Sequence, residues 1–380
     1  MIDLFQEGSQ CRTLPFFEDN RARVTLLAAP SFLAQLYYAE RKLPGWGGGG
    51  GKNGGKSGGK GFDFNVLPLD LGTFKLLALR SEQKSHQTYV VADPEGESAR
   101  LAQLQEIAPN VRLVGLGRDL FPALVAQQPN AVFAPIPQKL TAHTATLVFA
   151  TPRSGSSLLA DILTDLGAGR VVEHLRPDVI EVLTADYDYD LPAALRNFLN
   201  FASVDGYFGT KLISLFLSNY LKGRSHLSHV ARICAGLKLR VIFLDRDDKV
   251  AQAISGHLAS RRGLWHITSP ADAKRLQTRP KPAMEFHAVL PRYVQYQEQR
   301  GIIDAWRRML PQGLDLGYET DLLGADLPAL ARRLAGFVGL PPVRVALTKT
   351  AQRQRIADDD SLSMGREFAE EFQALFGMRP

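Results

Sequence analysis

The stretch that decides the fold is Thr146-Leu-Val-Phe-Ala-Thr-Pro-Arg-Ser-Gly-Ser-Ser157, followed by Leu-Leu-Ala-Asp-Ile-Leu-Thr-Asp-Leu-Gly167. Thr146 to Ala150 is a run of strand-forming residues. Leucine and isoleucine then recur at helical spacing, which predicts a helix that ends at Gly167. A strand, a tight turn of small residues and a helix make a cradle for anions. The first helical N–H groups lack internal partners, and the helix dipole adds partial positive charge there.

The turn itself carries the groups that an anionic ligand needs. Arg153 can bind two phosphate or sulfate oxygens at once, and Gly155 lets the backbone approach closely. Ser154, Ser156 and Ser157 add hydroxyl groups. The alternative interpretation is a strand–helix turn capped by serine. The turn lacks the Gly-Lys-Ser/Thr of a Walker A motif, and therefore its lysine and metal-binding hydroxyl.

The segment Pro152-Arg-Ser-Gly-Ser-Ser-Leu-Leu159 resembles the 5′-phosphosulfate loop of sulfotransferases that use 3′-phosphoadenylyl sulfate (PAPS). It is similar in particular to the loop of the bacterial trehalose 2-sulfotransferase-like (Stf0-type) family, and the resemblance extends over about residues 143–375. It implies the P-loop-like sulfotransferase fold of class α/β. In that fold a mainly parallel central sheet is flanked by helices, and the nucleotide binds at the carboxyl ends of the strands. The resemblance also implies a homodimer.

The length and composition of the chain restrict the kinds of protein it can be. The 380 residues, 45% of them hydrophobic, suffice for two domains or one large one. A net charge of +6 suits anionic ligands. No basic run with interleaved aromatic residues points to nucleic acid. Cys11 and Cys234 form no metal motif, which is typical of a reducing compartment. Because no membrane-spanning stretch or signal-peptide pattern is found, we expect a soluble, cytoplasmic protein.

The first 140 residues predict an additional N-terminal α/β region whose role the sequence leaves open. Its predicted strands and helices alternate along the chain. The strands are expected at 24–29, 74–79, 88–92 and 111–115, and the helices at 98–107 and 120–127. Gly115-Leu-Gly117 lacks the third glycine of a dinucleotide-binding turn. We therefore expect residues 1–140 to form one domain and residues 141–380 to form the catalytic domain.

A glycine- and lysine-rich insert spans residues 45–61. It contains a formal Walker A match, in which Gly50 is followed after four residues by Gly55-Lys56-Ser57. No strand precedes this match and no helix follows it, and glycine-rich backbone does not hold a single loop shape. We interpret the insert as a flexible, solvated loop and not as an ATP site.

Two segments carry the predicted catalytic groups. In the resembling family a Gly-Glu-Pro-Gln-Glu-Phe segment supplies the proposed base. The alignment implies that Glu173 is the base here, with His174 as a reserve candidate. A carboxylate can take the proton of a sugar hydroxyl as that oxygen attacks sulfur. Gly206-Tyr-Phe-Gly-Thr-Lys-Leu212 resembles the family's Gly-Gly-Lys-Leu and implies that Lys211 stabilises the departing charge. The alternatives are ordinary surface residues for the first pair and a strand-edge lysine for Lys211.

A second nucleotide-binding signal follows the predicted strand Val241 to Leu244. Arg246 ends that strand and Ser255 lies on the next helix. The resemblance assigns both to the 3′-phosphate, for which an arginine fork with a hydroxyl is well suited. Asp245, Asp247 and Asp248 could instead neutralise Arg246. The late segment Gln352-Arg-Gln-Arg355 resembles a family stretch that closes over the nucleotide, and two registers place either Arg353 or Arg355 there.

The remaining marked segments are interpreted as scaffold. They comprise a helix from Met284 to Gln299 with Trp306 packed on it, and the strand-then-turn Tyr318-Glu-Thr-Asp321. Trp265 stays open between a core or dimer-contact aromatic residue and a ligand contact. Asp186-Tyr-Asp-Tyr-Asp190 lacks the glycine and glutamate of an EF-hand loop, so no metal is assigned. It is interpreted as a solvated loop or as a wall of the acceptor site, with its tyrosines stacking on sugar rings.

Together these resemblances imply sulfuryl transfer from the co-substrate PAPS to a hydroxyl of a small-molecule carbohydrate or a glycolipid, releasing adenosine 3′,5′-bisphosphate. This chemistry requires no metal ion. Two alternatives stay open: a nucleotide kinase or NTPase that uses the same cradle with magnesium, and a non-catalytic nucleotide-binding protein in which the altered segment 170–174 has lost activity.

Overall fold

A computed structural model describes the chain over residues 16–17, 19–20, 22–29, 32, 65–69, 87–176, 190–215, 226–263, 283–324, 326–341 and 359–380. The chain divides into two units, one made of residues 1–141 and 178–202 and the other of residues 142–177 and 203–380. Within the described ranges, none of the helices combines the length and the low polarity that crossing a bilayer requires.

The strands of the described residues form two parallel four-stranded sheets, with the orders β2-β1-β3-β4 and β6-β5-β7-β8. The strands are β1 (Val24–Ala28), β2 (Asn65–Pro68), β3 (Thr88–Ala92), β4 (Arg112–Gly115), β5 (Thr144–Ala150), β6 (Tyr207–Ile213), β7 (Lys238–Asp245) and β8 (Leu314–Gly317). The α-helices are α1 (Glu97–Ile107), α2 (Phe121–Val125), α3 (Ser156–Asp165), α4 (Leu191–Ala202), α5 (His226–Ile233), α6 (Lys249–Arg262), α7 (Phe286–Met309), α8 (Leu327–Val338) and α9 (Asp359–Phe376).

The first unit is an α/β layer built on β1 and β3. Every residue of these two strands is buried, as expected for a parallel sheet covered on both faces. Leu101 and Leu104 of α1 pack against the face of this sheet that carries Tyr89 of β3. β2 lies where no strand was predicted, and the strand predicted at 74–79 falls outside the described residues.

The helix predicted at 120–127 begins differently. A π-helical turn, Leu116–Leu120, precedes α2. The Glu97 carboxylate accepts the backbone N–H groups of Gly117 and Arg118, each at 2.9 Å. Asp119 accepts the N–H of Gly115 at 2.8 Å. These carboxylates already occupy the N–H groups of both glycines in the Gly115-Leu-Gly117 turn, so neither of these two amides is available to a nucleotide phosphate.

The second unit is a three-layer α/β arrangement that confirms the predicted fold class. Successive residues of a strand point to opposite faces of the sheet, and β5 shows this clearly. Val148 and Ala150 pack with α3 and α8 on one face. Phe149 stacks on Trp306 of α7, with ring centroids 5.1 Å apart and planes 18° apart.

Two details of α7 differ from the sequence prediction. The helix runs from Phe286 to Met309 and does not end at Gln299. Its buried residues recur three or four positions apart through Ile303, so the apolar stripe continues and the helix continues with it. Trp306 is therefore part of this helix and packs on the sheet.

Helix α3 ends as predicted. Gly167 adopts φ 90°, the Ala168 N–H donates to the Leu163 carbonyl, and the Gly167 N–H donates to that of Thr164. This is a Schellman ending, which requires a left-handed residue and therefore favours glycine.

Candidate active site

The turn between β5 and α3 is shaped by its own residues. Gly155, just before the helix, has φ 84°. Arg153 has φ 61°, a conformation that residues with a side chain rarely adopt. The buried Ser154 hydroxyl donates to the Thr151 carbonyl at 2.7 Å. The Ser154 proton is therefore used inside the turn and stabilises its conformation.

The first turn of α3 carries no side-chain cap. Gly155 occupies the position whose side chain usually accepts a hydrogen bond from the helix amides, and glycine has none to offer. Ser156 and Ser157 are the first two helical residues; Ser156 is buried and Ser157 half-buried. Since these first amides lack acceptors inside the helix, the turn presents donors to an anion.

Gly155 is also required by the packing around it. A Cβ atom at this position would lie 2.8 Å from Cδ2 of Tyr318 and 2.9 Å from Cδ1 of Leu322. Such distances are shorter than any ordinary carbon contact. Only glycine can adopt this φ readily and also leave room for Tyr318 and Leu322 at these distances.

Arg153 links the turn to α6. Its Nε donates to the Ser255 hydroxyl oxygen at 3.2 Å. Burial, together with the nearby positive charge of Arg246, lowers the pKa of Arg153 below its ordinary value, while Tyr296 and Tyr318 act in the opposite direction. Arg153 is half-buried and Arg246 is buried, and their like charges repel each other. An anion bound between them would relieve that repulsion.

Arg246 lies at the carboxyl end of β7 and is only 7% exposed. Its guanidinium carbon is 4.7 Å from the centre of the Tyr318 ring. Its Nε is 3.5 Å from Oε1 of Glu319 and makes no hydrogen bond in the described part of the chain. A buried guanidinium with hydrogen-bonding capacity to spare fits a phosphate or sulfate ligand.

The three aspartates near Arg246 have other partners. Asp245 binds Lys249 at 2.6 Å and Asp247 binds Arg300 at 3.2 Å. Asp248 caps α6 by accepting the Ala251 N–H at 2.8 Å. The alternative in which these aspartates neutralise Arg246 is therefore wrong, and the carboxylate beside Arg246 is that of Glu319.

Glu173 and Lys211, predicted from segments 38 positions apart (211 − 173), meet in an ion pair. Lys211 Nζ lies 3.1 Å from Glu173 Oε1 and 3.3 Å from the Ser157 hydroxyl oxygen. The Lys211 side chain is 9% exposed and that of Glu173 30% exposed. The amine thus connects a carboxylate that solvent can reach with the first turn of α3.

Strand β6 positions Glu173. The N–H of Lys211 and the hydroxyl of Thr210 both donate to the Val172 carbonyl, at 2.9 and 3.0 Å. His174, the reserve candidate, is 2% exposed and stacks on Phe208. Its Nε2 lies 2.8 Å from the Arg170 carbonyl oxygen. This geometry favours Glu173 over His174 as the group that meets a substrate.

A buried polar network beneath the turn was not anticipated from the sequence. The Thr151 hydroxyl donates to Asp245 at 2.8 Å, and Gln252 donates to Thr151 at 2.9 Å and to the Pro152 carbonyl. Burial lowers the pKa of Lys249, an effect that Asp245 opposes. The only sequence signal was the spacing of Asp245 and Lys249, which are four positions apart.

Helix α7 adds a further contact near Ser255. Tyr296 is buried, and a Cβ atom placed on Gly256 would lie 2.4 Å from its hydroxyl oxygen. Burial raises the pKa of Tyr296, and the charges of Arg292 and Arg153 oppose this increase. Nothing in the local sequence indicated this contact, because it depends on how α7 packs against α6.

Several predicted features lie outside the described residues. They are Arg353, Arg355, Trp265, residues 186–189 of the acidic–aromatic segment, and the insert 45–61 with its Walker A match. Among the residues that are described, no group of three or more histidine, cysteine, aspartate or glutamate side chains is arranged to hold a metal ion.

Comparison with known proteins identifies a family for the chain. Residues 145–362 match the family model described as Stf0 sulphotransferase. This range contains the β5–α3 turn, the Glu173–Lys211 pair and Arg246 with Ser255. No curated protein matches the chain significantly. Because the family model covers more than half of the 380 residues, the chain belongs to the Stf0 sulfotransferase family and is a sulfotransferase.

Proposed function

We propose that this sulfotransferase moves a sulfuryl group from PAPS to a hydroxyl of a carbohydrate or glycolipid and releases adenosine 3′,5′-bisphosphate. One observation carries the proposal. Two anion subsites, the β5–α3 turn and Arg246, are joined by the contact between Arg153 and Ser255, and the Glu173–Lys211 pair reaches the turn through Ser157.

The β5–α3 turn suits the 5′-phosphosulfate. It combines the uncapped amides of α3 with the guanidinium of Arg153. Helix N-termini bind phosphate and sulfate because the amides and the dipole both favour negative charge. The left-handed Gly155 removes the side chain that would otherwise stand between backbone and ligand.

Arg246 and Ser255 suit the 3′-phosphate, the group that distinguishes PAPS from other adenosine nucleotides. Arg246 offers a buried, weakly paired guanidinium. The Ser255 hydroxyl accepts from Arg153 and keeps its own proton available for donation. The assignment of the 3′-phosphate to this subsite is based on these two donors, the Arg246 guanidinium and the Ser255 hydroxyl.

Glu173 and Lys211 account for the chemistry. The Glu173 carboxylate takes the proton of the acceptor hydroxyl as the acceptor oxygen forms its bond to sulfur. The bond between sulfur and the bridging phosphate oxygen breaks at the same time, and its electrons remain on that oxygen. The ammonium of Lys211, next to Ser157 of the turn, stabilises this new charge. Atoms and charge balance without a metal ion in the scheme.

The acceptor class, a homodimeric state and a cytoplasmic location are further parts of the proposal. The family resemblance supports the acceptor class and the homodimer, and the location carries over the expectation drawn from the sequence. The partition into an N-terminal domain (1–140) and a catalytic domain (141–380) is likewise proposed, and the role of the first 140 residues stays open.

Isothermal titration calorimetry tests the donor assignment. Adenosine 3′,5′-bisphosphate, 5′-AMP and ATP-magnesium are titrated into the wild type and the Arg246→Ala variant. We expect micromolar binding of the bisphosphate that depends on the 3′-phosphate, and we expect Arg246→Ala to lower its affinity to that of 5′-AMP. Arg308→Ala is the matched control, because this exposed arginine lies at the end of α7 and its loss changes net charge equally.

The opposite pattern would overturn the proposal. If ATP-magnesium binds equally well or better and Arg246→Ala has no effect, the protein handles nucleoside triphosphates as a kinase or NTPase does. Acceptor screening with radiolabelled PAPS follows a positive result, with Glu173→Ala as the control. Nucleotide binding without turnover on any hydroxyl acceptor would indicate a non-catalytic binding protein.

A further inference from the structure

Tyr318 lies between the two anion subsites. On one side its ring approaches Gly155 so closely that a Cβ atom there would be 2.8 Å from Cδ2. On the other side the Arg246 guanidinium carbon is 4.7 Å from the ring centre. One side chain therefore contacts the β5–α3 turn and the arginine assigned to the 3′-phosphate.

The π-helical segment that carries Tyr318, Tyr318–Leu322, is fixed by two of its carboxylates. Asp321 accepts the Gly317 N–H at 2.8 Å and is paired with Arg333 at 2.6 Å. Glu319 accepts the N–H groups of Asp247 and Asp248, at 3.0 and 3.3 Å. The segment is thus tied to the connection between β7 and α6, immediately after Arg246.

The orientation of Arg246 depends on these contacts. The aromatic face attracts the guanidinium, and this attraction is stronger away from water. Arg246 is buried here. An arginine that is already oriented loses less conformational freedom when it binds a phosphate. Glu319 holds only the Nε side, at 3.5 Å, which leaves the two terminal nitrogens for a ligand.

We propose that Tyr318 is a positioning residue that sets the spacing between the two subsites, so that one adenosine nucleotide carrying phosphates at both the 5′ and 3′ positions fits them together. This inference rests on the proposed function and deepens it. Tyr318 acts through Gly155 and Arg246, and it determines how strongly the site prefers a 3′-phosphorylated nucleotide.

A packing role alone predicts a different outcome. Tyr318 also borders the hydrophobic core between the sheet and α8. If it served only there, its replacement would lower thermal stability without changing the ratio of affinities for two nucleotides. The ratio therefore separates positioning from packing.

The test is a double-mutant cycle measured by calorimetry on the full chain with adenosine 3′,5′-bisphosphate and 5′-AMP. We expect Tyr318→Leu to weaken both ligands and to reduce the preference for the bisphosphate about ten-fold, the size of a partly desolvated cation–π contact. Tyr318→Phe keeps the ring and should recover most of the preference. In the Arg246→Ala background Tyr318→Leu should leave the ratio unchanged, because its effect passes through Arg246.

Phe337→Leu is the matched control. This ring packs on the same core and faces Arg240 at 5.8 Å, yet it lies on α8 away from the residues assigned to nucleotide. An unchanged ratio in a folded Tyr318→Leu variant, or a further loss of equal size in the Arg246→Ala background, would overturn the inference. Failure of the proposed function looks different, since the wild type would then show no preference for the bisphosphate.

Discussion

Lys211 Nζ lies 3.1 Å from Glu173 Oε1 and 3.3 Å from the hydroxyl oxygen of Ser157. The three residues come from β6, from the segment beside β6 and from the first turn of α3. Their meeting places a carboxylate, a cation and the anion cradle at one edge of the parallel sheet. Such an edge is where ligands bind in open α/β folds.

Glu173→Gln separates catalysis from binding. Glutamine keeps the shape of the side chain but cannot take a proton, so we expect turnover to fall by about 10²- to 10⁴-fold. Calorimetry with adenosine 3′,5′-bisphosphate should give a dissociation constant close to that of the wild type. His174→Gln provides the comparison. If it abolishes turnover while Glu173→Gln does not, the base has been assigned to the wrong residue.

Gly155→Ala should destabilise the β5–α3 turn. The methyl group would collide with Tyr318, and the left-handed backbone adds strain, so we expect a loss of about 1–3 kcal/mol in the free energy of unfolding. Nucleotide affinity should fall as well. Gly301→Ala is the control: it lies exposed within α7 with nothing within 4 Å, and alanine there should stabilise by about 0.5–1 kcal/mol. Denaturant titration measures both, and equal effects would contradict this reasoning.

Lys249→Met should be strongly destabilising. The Lys249 and Asp245 side chains are 3% and 6% exposed and lie 2.6 Å apart. Removing the amine leaves a buried carboxylate whose remaining cation, Arg300, is 3.6 Å away. Breaking a buried pair in this way costs about 3–5 kcal/mol. The Asp245→Asn/Lys249→Met double variant should recover part of that loss in thermal unfolding. A double variant less stable than Lys249→Met would show that Asp245 is held mainly by other partners.

Cys234 should be inert in the folded protein. It is buried, and burial raises the pKa of its thiol to about 12. An unfolded cysteine ionises near pH 8.5. Between these two pKa values the folded protein keeps the thiol protonated while the unfolded chain loses the proton. The free energy of unfolding therefore declines as the pH rises from about 8.5 toward 12. In a Cys11→Ser background, which isolates Cys234, a thiol-specific chromogenic disulfide should react at pH 8 only after denaturant is added. Rapid labelling without denaturant would contradict the burial.

The sequence by itself determined the local features. Residues 146–167 predicted a strand, an anion-binding turn and a helix that ends at glycine. The period of the hydrophobic residues, the small residues of the turn and the helix caps all reflect interactions between residues close in sequence. The strands around residues 24, 88 and 241 were predicted for the same reason. Resemblance to a family then supplied Glu173, Lys211, Arg246 and Ser255 as candidates, but it gave no distances between them.

Only the tertiary structure decided how the candidates are paired. Glu319 is far from Arg246 in sequence, and no periodicity could show that it, and not a neighbouring aspartate, lies beside that guanidinium. The same holds for Tyr318 against Gly155 and for Ser255 against Arg153. Local patterns arise from the hydrogen bonds and rotamers of adjacent residues, whereas these contacts depend on which strand ends and helix turns the packed core brings to one edge of the sheet.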